Sequence, residues 1–108
     1  MKDVIIGKGN LAEKGVYADR DFKTGEVVIT YHLKPLNDQG LEKLPESEKM
    51  FVHTHRGVKH LYSEPERYVN HSLDPNTRQD LETKQDIAIR DIAKGEMITT
   101  DATKDDTA

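Results

Sequence analysis

The side chains that most need a chemical explanation are the polar residues between Arg67 and Thr77. This stretch reads Arg-Tyr-Val-Asn-His-Ser-Leu-Asp-Pro-Asn-Thr and mixes amides, an imidazole and hydroxyls with apolar side chains. Neither helical nor strand periodicity accounts for the mixture. Polar side chains are costly to bury unless they find hydrogen-bonding partners. Taken alone, the segment predicts a turn-rich loop with Asx-type turns, and the polar residues concerned are Asn70, His71, Ser72, Asp74 and Asn76.

Other chemical patterns in the chain are weaker. His53 and His55 alternate on a predicted strand with His60 nearby, but no carboxylate or cysteine stands at a matching spacing, so we predict no metal site. The segment Gly7-Lys8-Gly9 lacks the downstream Gly-Lys-Ser/Thr of a phosphate-binding loop and indicates a turn. The chain contains no cysteine, which excludes disulfides, zinc–thiolate clusters and thiol nucleophiles.

Length and composition restrict the fold and the partners. The chain has 108 residues, room for one domain, and only 24 of them are Leu, Ile, Val or Phe, which predicts a thin core. Sixteen Lys and Arg against 20 Asp and Glu give a net charge of -4, which argues against direct nucleic-acid binding and fits a basic peptide or a cationic small molecule. No stretch approaches the length of a membrane span. We therefore predict a soluble, cytoplasmic protein with no membrane partner, and a nuclear or chromatin-associated location stays open.

The elements that must position these residues are short strands. Valine and isoleucine together number 14 against 8 leucines, and they occur in short runs between turn residues, which favours a mostly β fold with little helix. Residues 41–49 are the best helical candidate, but Pro45 limits that helix to a turn or two. The predicted strands are Val4 to Ile6, Gly15 to Ala18, Val27 to Tyr31, Phe51 to His55, Lys59 to Tyr62, Asp86 to Arg90 and Met97 to Thr99.

Two segments share one design. Residues 18–28 and 89–98 each read as a strand, an Arg-Asp-apolar step, a turn ending in Gly-Glu and a second strand. Glycine supplies the positive φ that such turns often require. We therefore predict two similar hairpin corners of a β fold.

Three motifs together resemble the SET-domain family, whose members are chiefly S-adenosylmethionine-dependent protein-lysine methyltransferases. Residues 67–76, Arg-Tyr-Val-Asn-His-Ser-Leu-Asp-Pro-Asn, are similar to the family's Arg-Phe-Ile-Asn-His-Ser-Cys-x-Pro-Asn. Residues 14–18, followed by residues 22–28, resemble its N-terminal Gly-x-Gly-(Val/Ile)-x-Ala and (Lys/Arg)-Gly-(Glu/Asp) element. Residues 88–99 resemble its C-terminal Ala-x-Arg-Asp-Ile-x-x-Gly-Glu element. The motifs occur in the family's order, so the resemblance covers roughly residues 7–102.

The resemblance implies a fold and a site. SET domains are small β-clip-like folds of short strands, in which the Asn-His strand lies under a C-terminal pseudoknot and cofactor and substrate enter from opposite faces. It implies a SET domain over residues 1–102 and a short polar tail over residues 103–108. It also implies a bound S-adenosyl-L-methionine and no metal. The implied cofactor-binding residues are Lys14, Gly15, Val16, Arg67, Tyr68, Asn70 and His71, the implied substrate channel is Phe51, His53 and Tyr62, and the implied catalytic positions are Tyr31 and 102.

The sequence departs from the family pattern at two places. Glu13 stands at the first glycine of Gly-x-Gly. Ala102 stands where the family carries a catalytic tyrosine, and Thr100 stands at an earlier tyrosine position. Losing one positioned catalytic group of this kind typically costs about a hundredfold or more in rate. Natural loss of activity, a compensating hydroxyl at Tyr31, Thr100 or Thr103, and an engineered replacement are the three explanations that stay open.

We therefore predict a small SET-domain methyltransferase that transfers methyl to a lysine amine of a basic protein or peptide. Ala102 leaves its activity in question. The alternative is a non-catalytic SET module that binds cofactor or a basic peptide as an interaction domain. The family's cysteine-rich zinc segment, which closes one wall of the lysine channel, has no counterpart in this cysteine-free sequence. A homodimer in which a second subunit closes that wall is a further hypothesis.

Overall fold

Ten short strands carry the fold in the described part of the chain. The computed structural model describes residues 3–9, 14–55 and 57–101, so Ala102 and the predicted tail 103–108 lie outside the described residues. Strands make up 43% and helices 14%, which confirms the predicted mostly β fold with little helix. The strands are β1 (Val4–Lys8), β2 (Lys14–Ala18), β3 (Val27–Thr30), β4 (Lys34–Leu36), β5 (Val52–His55), β6 (Val58–Leu61), β7 (Asn70–His71), β8 (Thr77–Asp80), β9 (Gln85–Ala88) and β10 (Met97–Thr100).

The strands form three small sheets. The first has the order β1-β2-β10-β7, the second β3-β9-β8 and the third β4-β6-β5. All neighbours are antiparallel except β10 and β7, which are parallel, with Thr99 opposite Asn70 and Thr100 opposite His71. The core lies between the first two sheets, where Val16 and Ile98 are completely buried. Within the described part of the chain, no helix is long and apolar enough to cross a membrane.

The helical segment is shorter than a continuous helix over residues 41–49. It consists of α1 (Asp38–Lys43) and α2 (Glu46–Lys49), which are separated at Leu44 and Pro45. The first helix begins earlier than predicted because the Asn37 side chain accepts a hydrogen bond from the backbone N–H of Gly40, at 2.7 Å, and so caps its N-terminus. The break at Pro45 follows from the lost backbone donor and the fixed φ of proline.

The turn predicted at Gly7-Lys8-Gly9 does not begin at Gly7. Gly7 and Lys8 belong to β1 and pair with Gly15 and Lys14 of β2, so the hairpin connection falls after Lys8. The Lys-Thr-Gly and Lys-Gly turns stand as predicted, with positive φ values of 90° at Gly25 and 93° at Gly95. Three strands were missed: β4, β7 and β8. The partners of β4 and β7 are distant in sequence, whereas β8 pairs with the next strand, β9, but is made of polar residues without an apolar alternation.

The two similar segments form a reciprocal pair of corners, which we define as residues 18–26 and 88–96. At the centre, Phe22 and Ile92 exchange two backbone hydrogen bonds of 2.8 and 2.9 Å. The outer hydrogen bonds repeat in the same way, since the Gly25 N–H donates to the Ala88 carbonyl and the Gly95 N–H donates to the Ala18 carbonyl, both at 2.8 Å. The prediction of two similar corners therefore extends to a contact that joins them.

Carboxylates complete both corners. Asp91 accepts hydrogen bonds from the Thr24 N–H at 2.9 Å, and Asp21 accepts one from the Lys94 N–H at 2.8 Å. The bond from the Thr24 N–H holds the pKa of the Asp91 carboxyl below its ordinary value, with smaller contributions from the Thr24 hydroxyl and Lys23. The Lys23 N–H likewise lowers the pKa of Glu26. These hydrogen bonds stabilise the ionised carboxylates, which are the forms present at neutral pH.

Strand β10 is enclosed by residues 70–77. It lies between β2 and β7 in the first sheet, and the Ser72 N–H donates to the Thr100 carbonyl at 2.9 Å. The Asn76 side chain donates to the Met97 carbonyl at 2.8 Å and accepts from the Thr99 N–H at 2.9 Å, so its amide acts like a strand neighbour. Residues 70–77 thus wrap around β10, which is the crossing expected of the predicted pseudoknot.

Candidate functional site

The Asn-His motif is fixed by β10, which pairs with it, and by β2, which the Asn70 side chain reaches. It follows a 3-10 turn, Glu66–Tyr68, and forms β7. The buried Asn70 amide donates to the Lys14 carbonyl at 2.9 Å and to the Tyr68 carbonyl at 3.3 Å. Asn70 therefore positions the backbone at the start of β2, which is the place where the resemblance puts the cofactor.

Gly15 permits this close approach. A Cβ at position 15 would lie 2.9 Å from Asn70 Nδ2 and 3.1 Å from Met97 Cε, so any side chain would displace the amide. Val16, the next predicted cofactor residue, is flanked by Ile6 and Ile98 in the two neighbouring strands, and its side chain belongs to the core. Of the three residues of the predicted backbone cradle, Lys14 is exposed at the start of β2, whereas Gly15 and Val16 are buried.

A cavity of about 310 Å³ opens beside Lys14. Such a volume lies at the lower end of the range for small-molecule sites, about 300–1,000 Å³. The Lys14 ammonium lies 4.9 Å from the centre of the Tyr68 ring, a cation–π distance. We call this the Lys14 cavity, and its lining residues are Lys14, Ser47, Met50, Phe51, Arg67, Tyr68 and Val69.

Arg67 acts as a brace on the wall of the Lys14 cavity. Its Nε donates to the Tyr62 carbonyl at 2.8 Å, and its Nη1 lies 2.6 Å from Glu48 Oε2. Its guanidinium carbon lies 4.4 Å from the centre of the Phe51 ring. Because the side chain is only 12% exposed, these contacts fix the Phe51 ring and the end of α2 relative to the Asn-His motif.

A second cavity, of about 200 Å³, lies on the other side of the same wall, and we call it the Tyr31 cavity. It shares Met50, Phe51, Arg67 and Val69 with the Lys14 cavity. The two cavities are therefore adjacent and are separated by one layer of side chains. The remaining lining residues of the Tyr31 cavity are Tyr31, His53, Tyr62, Glu66, Gln79, Asp86 and Thr100.

Several aromatic rings line the Tyr31 cavity. The ring centres of Tyr31 and Tyr62 are 5.6 Å apart, and those of His53 and Tyr62 are 4.5 Å apart. Phe51 packs edge-on against Tyr68 at 5.7 Å, so it touches the aromatic group of the neighbouring cavity. The structure thus brings Tyr31, Phe51, His53 and Tyr62 together around one space, as their predicted positions on flanking strands require.

Two buried carboxylates at this cavity were not among the predicted site residues. Asp86 on β9 is 1% exposed and accepts the hydroxyl hydrogen of Tyr31. Glu66 is also buried and accepts hydrogen bonds from the backbone N–H groups of His32 and Ser63. The sequence carries a signal for Asp86, because an acidic residue next to the apolar Ile87–Ala88 run of a central strand is unusual. Glu66 has no such signal, since its partners depend on the loop conformation.

The C-terminal segment reaches the site at Thr100 and Asp101. The buried Thr100 lines the Tyr31 cavity, and Asp101 Oδ1 lies 3.8 Å from Nδ1 of His71. His71 is half-buried and pairs with β10, and it lines neither the Lys14 cavity nor the Tyr31 cavity. Position 102, where the family carries its tyrosine, lies outside the described residues.

The histidines considered as metal ligands lie in the third sheet. His53 stands opposite His60 across β5 and β6. Among residues 3–9, 14–55 and 57–101, no three His, Asp or Glu side chains are grouped as they would be around a metal ion.

Comparison with known proteins gives a family and a fold. A sequence model of the SET domain matches residues 13–101, which is most of the chain. A search of curated proteins finds no match. Among solved structures, a Plasmodium falciparum protein provisionally assigned as a histone methyltransferase superposes with a TM-score of 0.70 at 20% identity, covering 94% of this chain and 93% of that one.

Two further similar structures come from Chaetomium thermophilum Polycomb Repressive Complex 2. The autoinhibited form bound to S-adenosylmethionine has a TM-score of 0.73 at 24% identity and covers 99% of this chain. A humanized mutant bound to the inhibitor GSK126 has a TM-score of 0.69 at 24% identity and covers 97%. This chain spans only 16% and 15% of those longer chains. With the family match over residues 13–101 and a shared fold, the chain belongs to the SET domain family.

Proposed function

We propose that this protein is an S-adenosylmethionine-dependent protein-lysine methyltransferase. The observation that carries the proposal is the adjacency of the Lys14 and Tyr31 cavities across the layer that contains Phe51 and Arg67. Methyl transfer requires a donor and an amine that approach each other in line, and two separate cavities that share one wall suit that requirement.

The chemistry of the Lys14 cavity fits the cofactor. The Lys14 ammonium can pair with a carboxylate, and the rings of Phe51 and Tyr68 offer faces on which an aromatic base can stack. S-Adenosylmethionine has both groups, and it supplies a methyl group that is activated by a sulfonium. Asn70 and Gly15 act indirectly, because they set the position of the Lys14 backbone.

The Tyr31 cavity suits the side chain of a substrate lysine. A free lysine amine has a pKa near 10.4, so only about one in a few thousand is neutral at pH 7. Aromatic walls remove water from the amine and thereby favour its neutral form, which is the nucleophile. The rings of Phe51, His53 and Tyr62 would surround the aliphatic part of the side chain, and the Tyr31 hydroxyl would meet the amine.

The sequence at position 102 gives Tyr31 a larger role in this proposal. Ala102 offers no hydroxyl, so the amine must be oriented by another group. Tyr31 and Thr100 both line the Tyr31 cavity and both carry hydroxyls. We assign the orienting role to Tyr31 because its hydroxyl is itself held by Asp86.

Charge supports a basic substrate. Asp86 and Glu66 line the cavity, and Asp101 directly follows Thr100, which also lines it. Together with the net charge of -4, these carboxylates favour the approach of a lysine-containing, positively charged protein or peptide.

The second candidate is a non-catalytic SET module that binds cofactor or a basic peptide. Ala102 at the catalytic position is the observation that favours it. In that case the two cavities would bind ligands without transferring a methyl group.

Calorimetry and a transfer assay separate the two functions. We expect S-adenosylmethionine to bind, and radiolabelled methyl to pass to lysine in histones or in proteins of a whole-cell lysate. Ala102→Tyr tests the missing hydroxyl and should increase the rate, while Phe51→Ala should weaken both binding and transfer. Binding without transfer, even in Ala102→Tyr, would favour the module, and no binding would overturn both functions.

A further inference from the structure

Met50 is the exposed member of the wall that the two cavities share. It is the residue that ends α2. Its exposed fraction is 72%, and yet it lines both the Lys14 cavity and the Tyr31 cavity. The other residues common to the two cavities, Phe51, Arg67 and Val69, are half-buried. A reagent in solvent therefore reaches the shared wall first at the Met50 side chain.

The thioether of Met50 is also a reactive atom. The chain has three methionines and no cysteine, so thioethers are the sulfur groups that an oxidant can attack. Oxidation of sulfur to a sulfoxide follows the exposure of the side chain. Met97 is half-buried, and its Cε lies only 3.1 Å from the position that a Cβ on Gly15 would take. Met50 is thus the more accessible of the two methionines that the structure describes.

We propose that Met50 is a site of reversible oxidation, and that its sulfoxide weakens the binding of aromatic ligands in the Lys14 cavity. The thioether is apolar, flexible and polarisable, and such a group makes favourable contacts with aromatic rings. The sulfoxide is polar and carries a strong acceptor oxygen. A ligand ring that covers this oxygen must displace the water bound to it and offers no hydrogen bond in return.

The reaction needs one molecule of a peroxide, for which hydrogen peroxide is the simplest member. A sulfur lone pair of Met50 attacks one peroxide oxygen, an S–O bond forms, and the O–O bond breaks. The released hydroxide takes the proton of the transferred oxygen and leaves as water. Sulfur loses two electrons and the peroxide gains them. Methionine sulfoxide reductases reverse the change, with one enzyme for each epimer of the sulfoxide.

This inference rests on the proposed function for its ligand, S-adenosylmethionine, which carries an aromatic base. The full chain is treated briefly with hydrogen peroxide, the peroxide is removed, and binding is measured by calorimetry. We expect the affinity for S-adenosylmethionine to fall by about fourfold to tenfold, as the loss of one or two buried methylene contacts implies. Unchanged affinity in a chain that is fully oxidised at position 50 would overturn the inference.

Two leucine variants form a matched pair. Met50→Leu removes the proposed site and keeps Met97, whereas Met97→Leu does the reverse. Each variant is compared with its own untreated sample, so a change in its starting affinity does not matter. Peroxide should leave the affinity of Met50→Leu unchanged and should lower that of Met97→Leu as in the parent chain. Equal sensitivity of the two variants would place the effect elsewhere and overturn the assignment to Met50.

Peptide mass spectrometry measures the selectivity directly and needs no ligand. The sulfoxide should form faster at Met50 than at Met97, because the Met97 side chain is half-buried. Treatment with both sulfoxide reductases should restore the thioether and the original affinity together. Faster oxidation of Met97, or affinity that stays low after the thioether has been restored, would overturn the inference.

Urea unfolding separates a change at the cavity from a loss of fold. Because most of the Met50 side chain is in solvent, its oxidation should leave the midpoint of urea unfolding unchanged. A midpoint that falls in step with the affinity would mean general destabilisation and would contradict an effect on the cavity.

A second probe distinguishes failure of this inference from failure of the proposed function. Indole has an aromatic ring but no methyl to donate, and its binding is followed through the ring resonances of Phe51 and Tyr68 by NMR. Indole binding that weakens on oxidation, in a chain that does not bind S-adenosylmethionine, would support the role of Met50 and overturn the proposed enzyme. Binding of both ligands that ignores oxidation would leave the enzyme standing and overturn the role of Met50. An untreated chain that binds neither would overturn both.

Discussion

Arg20 and Arg67 place the same side-chain arrangement in two different regions of the molecule. Each guanidinium lies over a phenylalanine ring, at 4.0 Å for Arg20 on Phe22 and 4.4 Å for Arg67 on Phe51. Each also pairs with a glutamate, at 3.3 Å for Glu26 and 2.6 Å for Glu48. The difference lies in what surrounds the rings.

In the corners, the ring is part of the core and the cation covers it from solvent. Phe22 is 1% exposed, while the Arg20 side chain is 39% exposed. At the site the cation is enclosed and the ring is not. Phe51 is half-buried and lines both cavities, whereas the Arg67 side chain is only 12% exposed. The same arginine–phenylalanine arrangement therefore stabilises the fold where the ring is fully packed, and fixes the ring at the border of a cavity where it is not.

The largest expected effect is on the corner ring. Phe22→Ala should lower the free energy of unfolding by about 3–5 kcal/mol, the usual cost of removing a fully buried aromatic ring. Phe51→Ala should cost less stability, because its ring already borders open space, and should instead weaken S-adenosylmethionine binding. Urea unfolding and calorimetry measure the two quantities. Equal losses of stability would mean that Phe51 is a core residue and would break the comparison.

Of the two arginines, Arg67 should contribute more to the free energy of unfolding than Arg20, although Phe22 should contribute more than Phe51. Arg67→Met should lower the free energy of unfolding by about 1.5–3 kcal/mol, because it removes enclosed hydrogen bonds to a charged partner. Arg20→Met should cost at most about 1 kcal/mol, since its ion pairs are exposed to solvent. Urea unfolding of both methionine variants compares them directly, and a larger loss for Arg20→Met would contradict the assignment of Arg67 as the brace.

Glycine substitutions sharpen the comparison further. Gly25→Ala should cost about 1–2 kcal/mol, because the residue has a φ of 90° although a Cβ would meet nothing within 4 Å. It should leave S-adenosylmethionine affinity unchanged. Gly15→Ala should reduce that affinity, since its Cβ would displace the Asn70 amide that holds Lys14. Calorimetry on both variants distinguishes them, and equal affinities would remove Gly15 from the site.

The smallest expected effect is on the acid stability of the corners. The pKa of Asp91 is lowered from its ordinary value of 3.8 mainly by the bond from the Thr24 N–H. A carboxyl with a lowered folded-state pKa stabilises the fold above its unfolded-state pKa, and this contribution is lost as the pH falls through the folded-state value. Asp91→Asn should therefore flatten the loss of stability below about pH 4. Thermal unfolding at several pH values checks this, with Glu42→Gln as a charge control, and an unchanged acid slope would contradict it.

Much of the fold could be predicted because its signals are local. The runs of β-branched residues at β1, β3 and β10 and the Gly-Glu turns at the corners appear directly in the sequence. Two of the three missed strands, β4 and β7, depend on distant partners, and the two residues of β7 become a strand only beside β10. A two-residue strand has no periodicity of its own, so no local pattern could show it.

The sequence indicated which residues lie at the candidate site better than it indicated the contacts that those residues make. The resemblance singled out Tyr31, Phe51, His53 and Tyr62, and the structure brings them to one cavity. Their catalytic, cofactor-binding and substrate roles stay predictions. Arg67 was expected at the cofactor and lines the Lys14 cavity, but its contacts with Phe51 and Glu48 depend on the tertiary structure and could not be read from the sequence.

The sequence by itself determined the mostly β fold, the paired corners and the family, because these rest on residue types and spacings within short segments. It also determined that position 102 carries no hydroxyl. Only the tertiary structure decided that β10 is enclosed by residues 70–77, that two cavities share one wall, and that Asp86 holds the Tyr31 hydroxyl. Tyr31 and Asp86 are 55 positions apart, and only the pairing of β3 with β9 brings them together.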